Sequence, residues 1–298
     1  MNERYAIDPD AAANADELKL LLDKLGMQTG RFLAKYPDDW TQFLLDRFAA
    51  APPVERKRVV HLLARHKIFA LGCGGKSFQR TKTWPENAVA VKSVSPKTFD
   101  AIVAPIGNAF GLPTPRDVLY EDHHAWPDGR GDHVSMKAVS YARLAEPLFE
   151  LSPEVFLVDA YFALRSPTGT PHSRQRRVLQ ALLKEASKSP ICQSIRLILK
   201  KSTIGESATN EAALEQDLDK LIFVLDKKEI NLEYQILDDV GHGRYLFSIH
   251  GGLQFDHGFD EHEANKNHVH WLSEPELSPL LVKFGANSEK WCKSNVER

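Results

Sequence analysis

Apolar positions recur at helical spacing early in the chain and change to a strand-and-helix rhythm later. From Asp16, Leu18, Leu20, Leu21, Leu22 and Leu25 gather towards one side of a helix, and Gly26 supplies a stop. A second helix is predicted after Pro37-Asp38-Asp39, with Trp40, Phe43, Leu44 and Phe48 at helical spacing and Ala51-Pro52-Pro53 ending it. A third starts near Pro53 and carries Val59, Val60, Leu62 and Leu63. Residues 1–14 are polar and acidic and read as a loosely attached start. Together these predict an N-terminal α-helical module over residues 1–92. Inside it, Gly72, Gly74, Gly75 and Lys76 miss the phosphate-loop spacing and read as a turn, and Trp84-Pro85-Glu86-Asn87 reads as a turn leading into another short element.

Residues 93–298 read as an α/β domain. Phe99–Pro105 predicts a strand, followed by a polar insertion at about 107–133 that holds Asp122, His123, His124, Asp128, Asp132 and His133. These residues could supply metal ligands, but their spacings match no helix-borne or knuckle-type site, and a solvated loop is the expectation. Val155–Val158 then predicts a strand, Arg174–Ala186 an amphipathic helix and Ile195–Leu199 a strand. A helix capped by Asn210 and running to about Lys228 follows, then a strand over Asn231–Leu237. This alternation implies a sheet covered by helices, with strand ends and crossovers meeting at one edge, where α/β proteins place their sites. Tyr245–Ile249 and Leu253–Phe255 predict a hairpin turning at His250-Gly251-Gly252. Trp271, Phe284 and Trp291 are expected to pack against the domain.

The chemistry concentrates just before that hairpin. In an extended His242-Gly243-Arg244 segment, alternate residues share a side, so the imidazole and guanidinium flank the glycine. An imidazole can attack phosphorus or move a proton near neutral pH, and a guanidinium can grip two phosphate oxygens. The same pair could instead bond to Asp238, Asp239 or Asp260 and hold the hairpin in place. Arg174, Arg176, Arg177 and Lys184 on one helix and Lys200-Lys201 after one strand would add an anion-binding edge if they face Arg244; otherwise they form a solvated surface. His250, His257, His262, His268 and His270 crowd into a short span. His268 and His270 would share one side of a strand, but spacing fixes no third ligand, so no metal is assigned.

Composition narrows the classes. The 298 residues carry 38 Lys+Arg against 40 Asp+Glu, a net charge of −2, which excludes a global basic field and leaves local patches. Three scattered cysteines exclude a disulfide framework and a cysteine zinc site. The polar N-terminus is no secretory leader, and no apolar run approaches the ~18 residues of a membrane span. The expectation is a cytoplasmic protein without a transmembrane segment. No motif calls for a cofactor, and none is expected.

Residues 150–260 resemble a phospholipase D-like domain, closest to the one that follows a microtubule-interacting-and-transport domain in ESCRT-linked proteins. The matching motifs are Asp159-Ala160-Tyr161 at a strand end, His242-Gly243-Arg244, and Gly258-Phe259-Asp260, over a little more than a third of the chain. The resemblance implies a helix-covered mixed sheet. Active enzymes of this type carry His-x-Lys, an Asp five residues after the Lys, and a Gly-Ser or similar pair. Here Arg244 and Ile249 stand at the Lys and Asp positions, and no Gly-Ser pair follows. The enzymes also use two motifs, whereas this chain has one, so catalysis would need a homodimer that pairs two His242 residues. The implied function is a non-catalytic accessory subunit that binds a protein partner or a phosphate-bearing ligand, in a setting such as a bacterial defence or nucleic-acid-processing complex. The alternative is a divergent phosphodiesterase or nuclease using His242 and Arg244. The binding residues expected are Asp159, Tyr161, Arg174, Arg177 and Asp260. The N-terminal module is the expected surface for a protein partner, with nucleic acid a second partner class.

Overall fold

The computed structural model describes residues 2–66, 70–119, 131–165, 170–204, 208–223, 230–262, 265–285 and 291–293. The chain is α/β and divides into two compact units, Met1–Arg130 and Gly131–Arg298.

The first unit contains β1 (Glu3–Ile7), α1 (Ala15–Leu22), β2 (Arg31–Lys35), α2 (Trp40–Arg47), α3 (Pro53–His66), β3 (Ala70–Gly72), α4 (Trp84–Val94), β4 (Ala101–Val103) and α5 (Pro115–Leu119). Its four strands are all parallel, in the order β3-β2-β1-β4. Side-chain alternation splits its interior in two. Tyr5 and Ile7 join α1, α2, α3 and α5 on one face, while Ala6, Ala34 and Ile102 meet Trp84, Ala88 and Val91 of α4 on the other.

This unit corrects the expectation of a helical module over 1–92. The three helices are present, but Glu3–Ile7, expected to be loose, is an inner strand between β2 and β4. The strand predicted near Phe99 appears as β4, and it pairs with β1, which moves the boundary from 92/93 to 130/131. The cause is physical. A strand buried on both faces shows no alternation, and three to five apolar residues beside a helix carry no period of their own. Trp84-Pro85-Glu86-Asn87, expected as a turn leading into a short element, is itself the first turn of the eleven-residue α4. Thr83 caps it and Glu86 returns the bond to the Thr83 N–H, a Thr-x-x-Glu capping box.

The second unit contains β5 (Gly131–Ser135), α6 (Ala138–Leu151), β6 (Glu154–Asp159), α7 (Ser173–Ala186), β7 (Ser194–Lys200), α8 (Lys201–Ile204), α9 (Ala208–Phe223), β8 (Asn231–Leu237), β9 (Arg244–Ser248), β10 (Gly251–Phe255), β11 (Lys266–Trp271), α10 (Glu274–Leu280), a π-helical turn (Leu281–Gly285) and β12 (Cys292–Lys293). The strands form one mixed sheet in the order β12-β8-β7-β6-β9-β10-β11-β5, in which β6, β7 and β8 are parallel. Tyr141 of α6 packs on Phe255 on one face. On the other, Leu277 of α10 and Phe284 of the π-helical turn cover Phe156 and Phe247, which stack across the β6–β9 pair. Trp271 and Phe284 are buried and Trp291 packs on Phe156, as expected of them.

Smaller differences follow from local packing. Asn210 lies inside α9, which starts at Ala208. The hairpin turns at Ile249-His250, because Ser248 pairs with Gly251 and draws both glycines into β10. Gly252 is needed there: a Cβ would stand 2.6 Å from the Phe247 Cβ. The insertion expected at 107–133 is divided between the units, its first part leading into α5 and its last three residues opening β5. Asp122, His123, His124 and Asp128 lie outside the described residues.

Candidate anion-binding site

The site sits where β6 ends and β9 begins. These strands are antiparallel, and their register sets Asp159 directly opposite Arg244. Asp159 is fully buried. Burial raises its carboxyl above the usual range, against the backbone N–H bonds of Tyr161 (2.8 Å) and Phe259 (3.2 Å) and the charge of Arg244. Gly258 makes room for this carboxylate, since a Cβ would stand 2.7 Å from Oδ2. The Asp-aromatic strand end and the Gly-Phe-Asp segment therefore meet around one buried acid.

Arg244 stands above that acid without bonding to it. Its Nε lies 3.9 Å from Asp159 Oδ1, is buried, and has no hydrogen-bond partner. Nη1 donates to the Asp256 carbonyl at 2.9 Å. The guanidinium carbon lies 5.1 Å from the centre of the Tyr161 ring, a cation–π arrangement. Tyr161 also reaches His242: its hydroxyl is 3.0 Å from Nδ1, and the two rings stack at 6.3 Å and 25°.

His242 lies outside the strand, since β9 starts at Arg244. Gly241, at φ +76°, turns the chain just before it, with its N–H bonded to Asp239. The two side chains are thus brought together by a shared aromatic platform more than by alternation along one strand. Tyr161 is half exposed and His242 exposed, while Arg244 keeps about a quarter of its side chain in water. The arrangement offers a cation and an imidazole on one aromatic floor. Its protein acid is buried beneath the cation rather than clasped around it.

The other expected residues are close in sequence but occupied. Arg174 pairs with Asp260 at 3.8 Å and Arg177 with Glu261. Arg176 and Arg165 both bond to Asp217, whose side chain is buried. The basic start of α7 is therefore largely matched by acids, and its arginines hold the edge together. Lys201 is paired with Asp238 at 3.7 Å. Sequence reading missed Asp217 and Glu261 as partners, and missed the Asp256 carbonyl. Asp217 sits where the apolar stripe of α9 would continue, between Leu214, Leu218 and Leu221, and an acid in such a stripe signals a buried cation partner.

Catalytic phospholipase D-type chemistry needs a second imidazole. Among the described residues, none stacks on His242 or hydrogen-bonds to it. Ile249, at the position of the enzymes' Asp, is exposed at the tip of the hairpin. No group of three or more His, Cys, Asp or Glu among the described residues is placed to hold a metal. No helix among them is long and apolar enough to cross a membrane.

No protein-family model matches this chain, and no curated protein matches it. Among solved structures it is similar to TrmBL2, described as an archaeal chromatin protein with a novel mode of DNA binding, at 11% identity and a TM-score of 0.27, over 83% of this chain and 67% of that one. A likeness at that score carries no argument about fold or function.

Proposed function

We propose that the Gly131–Arg298 unit is a phospholipase D-like module that binds a phosphate-bearing ligand at Arg244 and His242 without cleaving it, as an accessory subunit to a protein partner. The observation that carries this reading is the Tyr161 platform. It supports a guanidinium and an imidazole together, and the nearest acid to Arg244 is a buried carboxylate 3.9 Å from Nε. A partly desolvated guanidinium with unspent donors favours a tetrahedral oxyanion, and an adjacent imidazole adds a donor. Cleavage has less support: a single imidazole can attack or protonate but cannot do both at opposite ends of one phosphodiester. Nucleic acid is the weaker partner class, because Arg174, Arg176 and Arg177 are already paired with acids. The first unit is the proposed surface for the protein partner.

The test is calorimetric titration of the full chain with phenyl phosphate, alongside a hydrolysis assay on bis(p-nitrophenyl) phosphate. Binding should occur, Arg244→Ala should weaken it by about tenfold or more, and no diester should be cleaved. Equal binding by Arg244→Ala would remove the site. Metal-independent hydrolysis that disappears in His242→Ala would establish the phosphodiesterase alternative instead.

A further inference from the structure

Four acids among the described residues are buried: Asp8, Asp159, Asp217 and Glu233. Three of them have what a desolvated carboxylate needs. Asp217 bonds to Arg165 and Arg176, Glu233 bonds to Arg196, and Asp159 accepts two backbone N–H bonds with Arg244 above it. Asp8 does not. It is 4% exposed, and its Oδ1 accepts one bond, from the Asp10 N–H at 2.9 Å. Among the described residues, no donor reaches Oδ2 and no cation pairs with the carboxylate. The other charge that acts on it is the acid Asp10, which is itself paired with Arg47 at 2.8 Å.

Asp8 also stands where parallel sheets receive ligands. The strand order β3-β2-β1-β4 reverses between β1 and β4, so the carboxyl end of that pair is the topological switch point. The Asp8 N–H donates to the Val103 carbonyl at 2.8 Å, which sets the acid against the end of β4. The loop that leaves β4 is tied back at the same place, by the Ala104 N–H on the Pro113 carbonyl at 2.9 Å. Asn108 holds that loop from within. It donates to the Pro105 and Leu112 carbonyls and accepts from the Phe110 and Leu112 N–H groups. The loop so held leaves Ile106 and Phe110 exposed. An uncompensated acid and exposed apolar side chains therefore share one edge of the sheet.

We infer that this edge binds a small organic cation, an amine with an apolar body, whose ammonium group pairs with Asp8 and whose body rests on the loop after β4. The site is independent of Arg244, which belongs to the other unit. The ligand's chemistry follows from what Asp8 lacks. A carboxylate buried without a countercharge costs stability, and an acid kept at that cost beside a switch point marks a binding site. A cationic ligand supplies the charge that the protein withholds. A metal ion does not suit the edge, because Asp10 is taken by Arg47 and no three ligand groups among the described residues are placed to hold one. An anion would meet two carboxylates. Ile106 and Phe110 suit an apolar body.

The experiment is an NMR shift titration of the isotope-labelled full chain with phenethylamine at pH 7.5, set against 2-phenylethanol, which has the same body and no charge. Phenethylamine should bind one-to-one, and 2-phenylethanol at least tenfold more weakly. Asp8→Asn keeps an acceptor for the Asp10 N–H and loses only the buried charge, so it stays folded, as circular dichroism would confirm. It should weaken phenethylamine binding at least tenfold. Asp46→Asn removes the same charge from an exposed position on α2 and should leave binding unchanged. Burial pushes Asp8 up to about 6, and an alkylammonium stays charged well above that. Affinity should therefore fall about tenfold between pH 7.5 and about pH 5, as Asp8 takes up a proton. Absence of saturable binding overturns the proposal, as does equal binding by 2-phenylethanol or by Asp8→Asn. An affinity constant over that pH range, or a loss in Asp46→Asn as large as that in Asp8→Asn, overturns it too.

Discussion

Asp8 and Asp159 each stand at the carboxyl end of an inner parallel strand, and burial acts on both in the same direction. Burial pushes Asp8 up to about 6, opposed by the Asp10 N–H bonded to its Oδ1 at 2.9 Å. A carboxyl raised in the folded state makes the ionised form costly there. That cost is fully present above about pH 6 and fades as pH falls towards the ordinary 3.8. At about 1.4 kcal/mol per tenfold change in protonation, the cost at neutral pH is about 3 kcal/mol. Asp8→Asn keeps an acceptor for Asp10 and carries no charge. It should therefore stabilise the protein by about 2–3 kcal/mol at pH 7.5 and leave it nearly unchanged at pH 4, as urea denaturation at the two pH values would measure. A constant effect across that range would mean that Asp8 does not titrate as its burial dictates. Tyr161 is the other decisive single residue. Tyr161→Phe keeps the floor under Arg244 but removes the hydroxyl bond to His242, whereas Tyr161→Ala removes both. Phenyl phosphate affinity should fall in the order wild type, Phe, Ala; equal losses would show that the floor alone matters.

Among elements, the hairpin and the α7–β7 segment were legible because their signals are local. Strand β7 is apolar at Ile195, Leu197, Ile198 and Leu199, and α7 presents Val178, Leu179, Leu182 and Leu183 at helical spacing, all of which are buried. Helix α4 was legible in principle through Thr83 and Glu86, whose spacing is that of a capping box. Thr83→Ala removes the side-chain acceptor for the Glu86 N–H and should cost about 1 kcal/mol in urea denaturation. A loss below about 0.3 kcal/mol would mean that Pro85 and core packing hold the helix start without the cap. Strands β1, β2 and β3 were not legible. Each spans three to five residues, and in β1 and β2 tertiary cover on both faces removes the alternation that marks a half-buried strand, while β3 is too short to show any. The site divides along the same line. Asp159, His242 and Arg244 were named from motifs, but their stacking around Tyr161 depends on a β6–β9 pairing between residues more than eighty positions apart.

For the molecule as a whole, each unit has its own sheet and its own buried core. Residues 131–298 expressed alone should therefore unfold cooperatively and bind phenyl phosphate with the affinity of the full chain. A fragment that is unfolded, or that binds far more weakly, would show that the first unit contributes to the site. The chain by itself determined the α/β class, the crossover rhythm after residue 150 and the absence of a global charge field, because periodicity, turn residues and net charge are properties of neighbouring positions or of simple counts. Only the tertiary structure decided that Glu3–Ile7 is an inner strand, that Arg174 and Arg177 are matched by Asp260 and Glu261, and that His133 faces His268 across two strands. Each of these depends on strand register or on burial by distant elements, and a linear pattern carries neither.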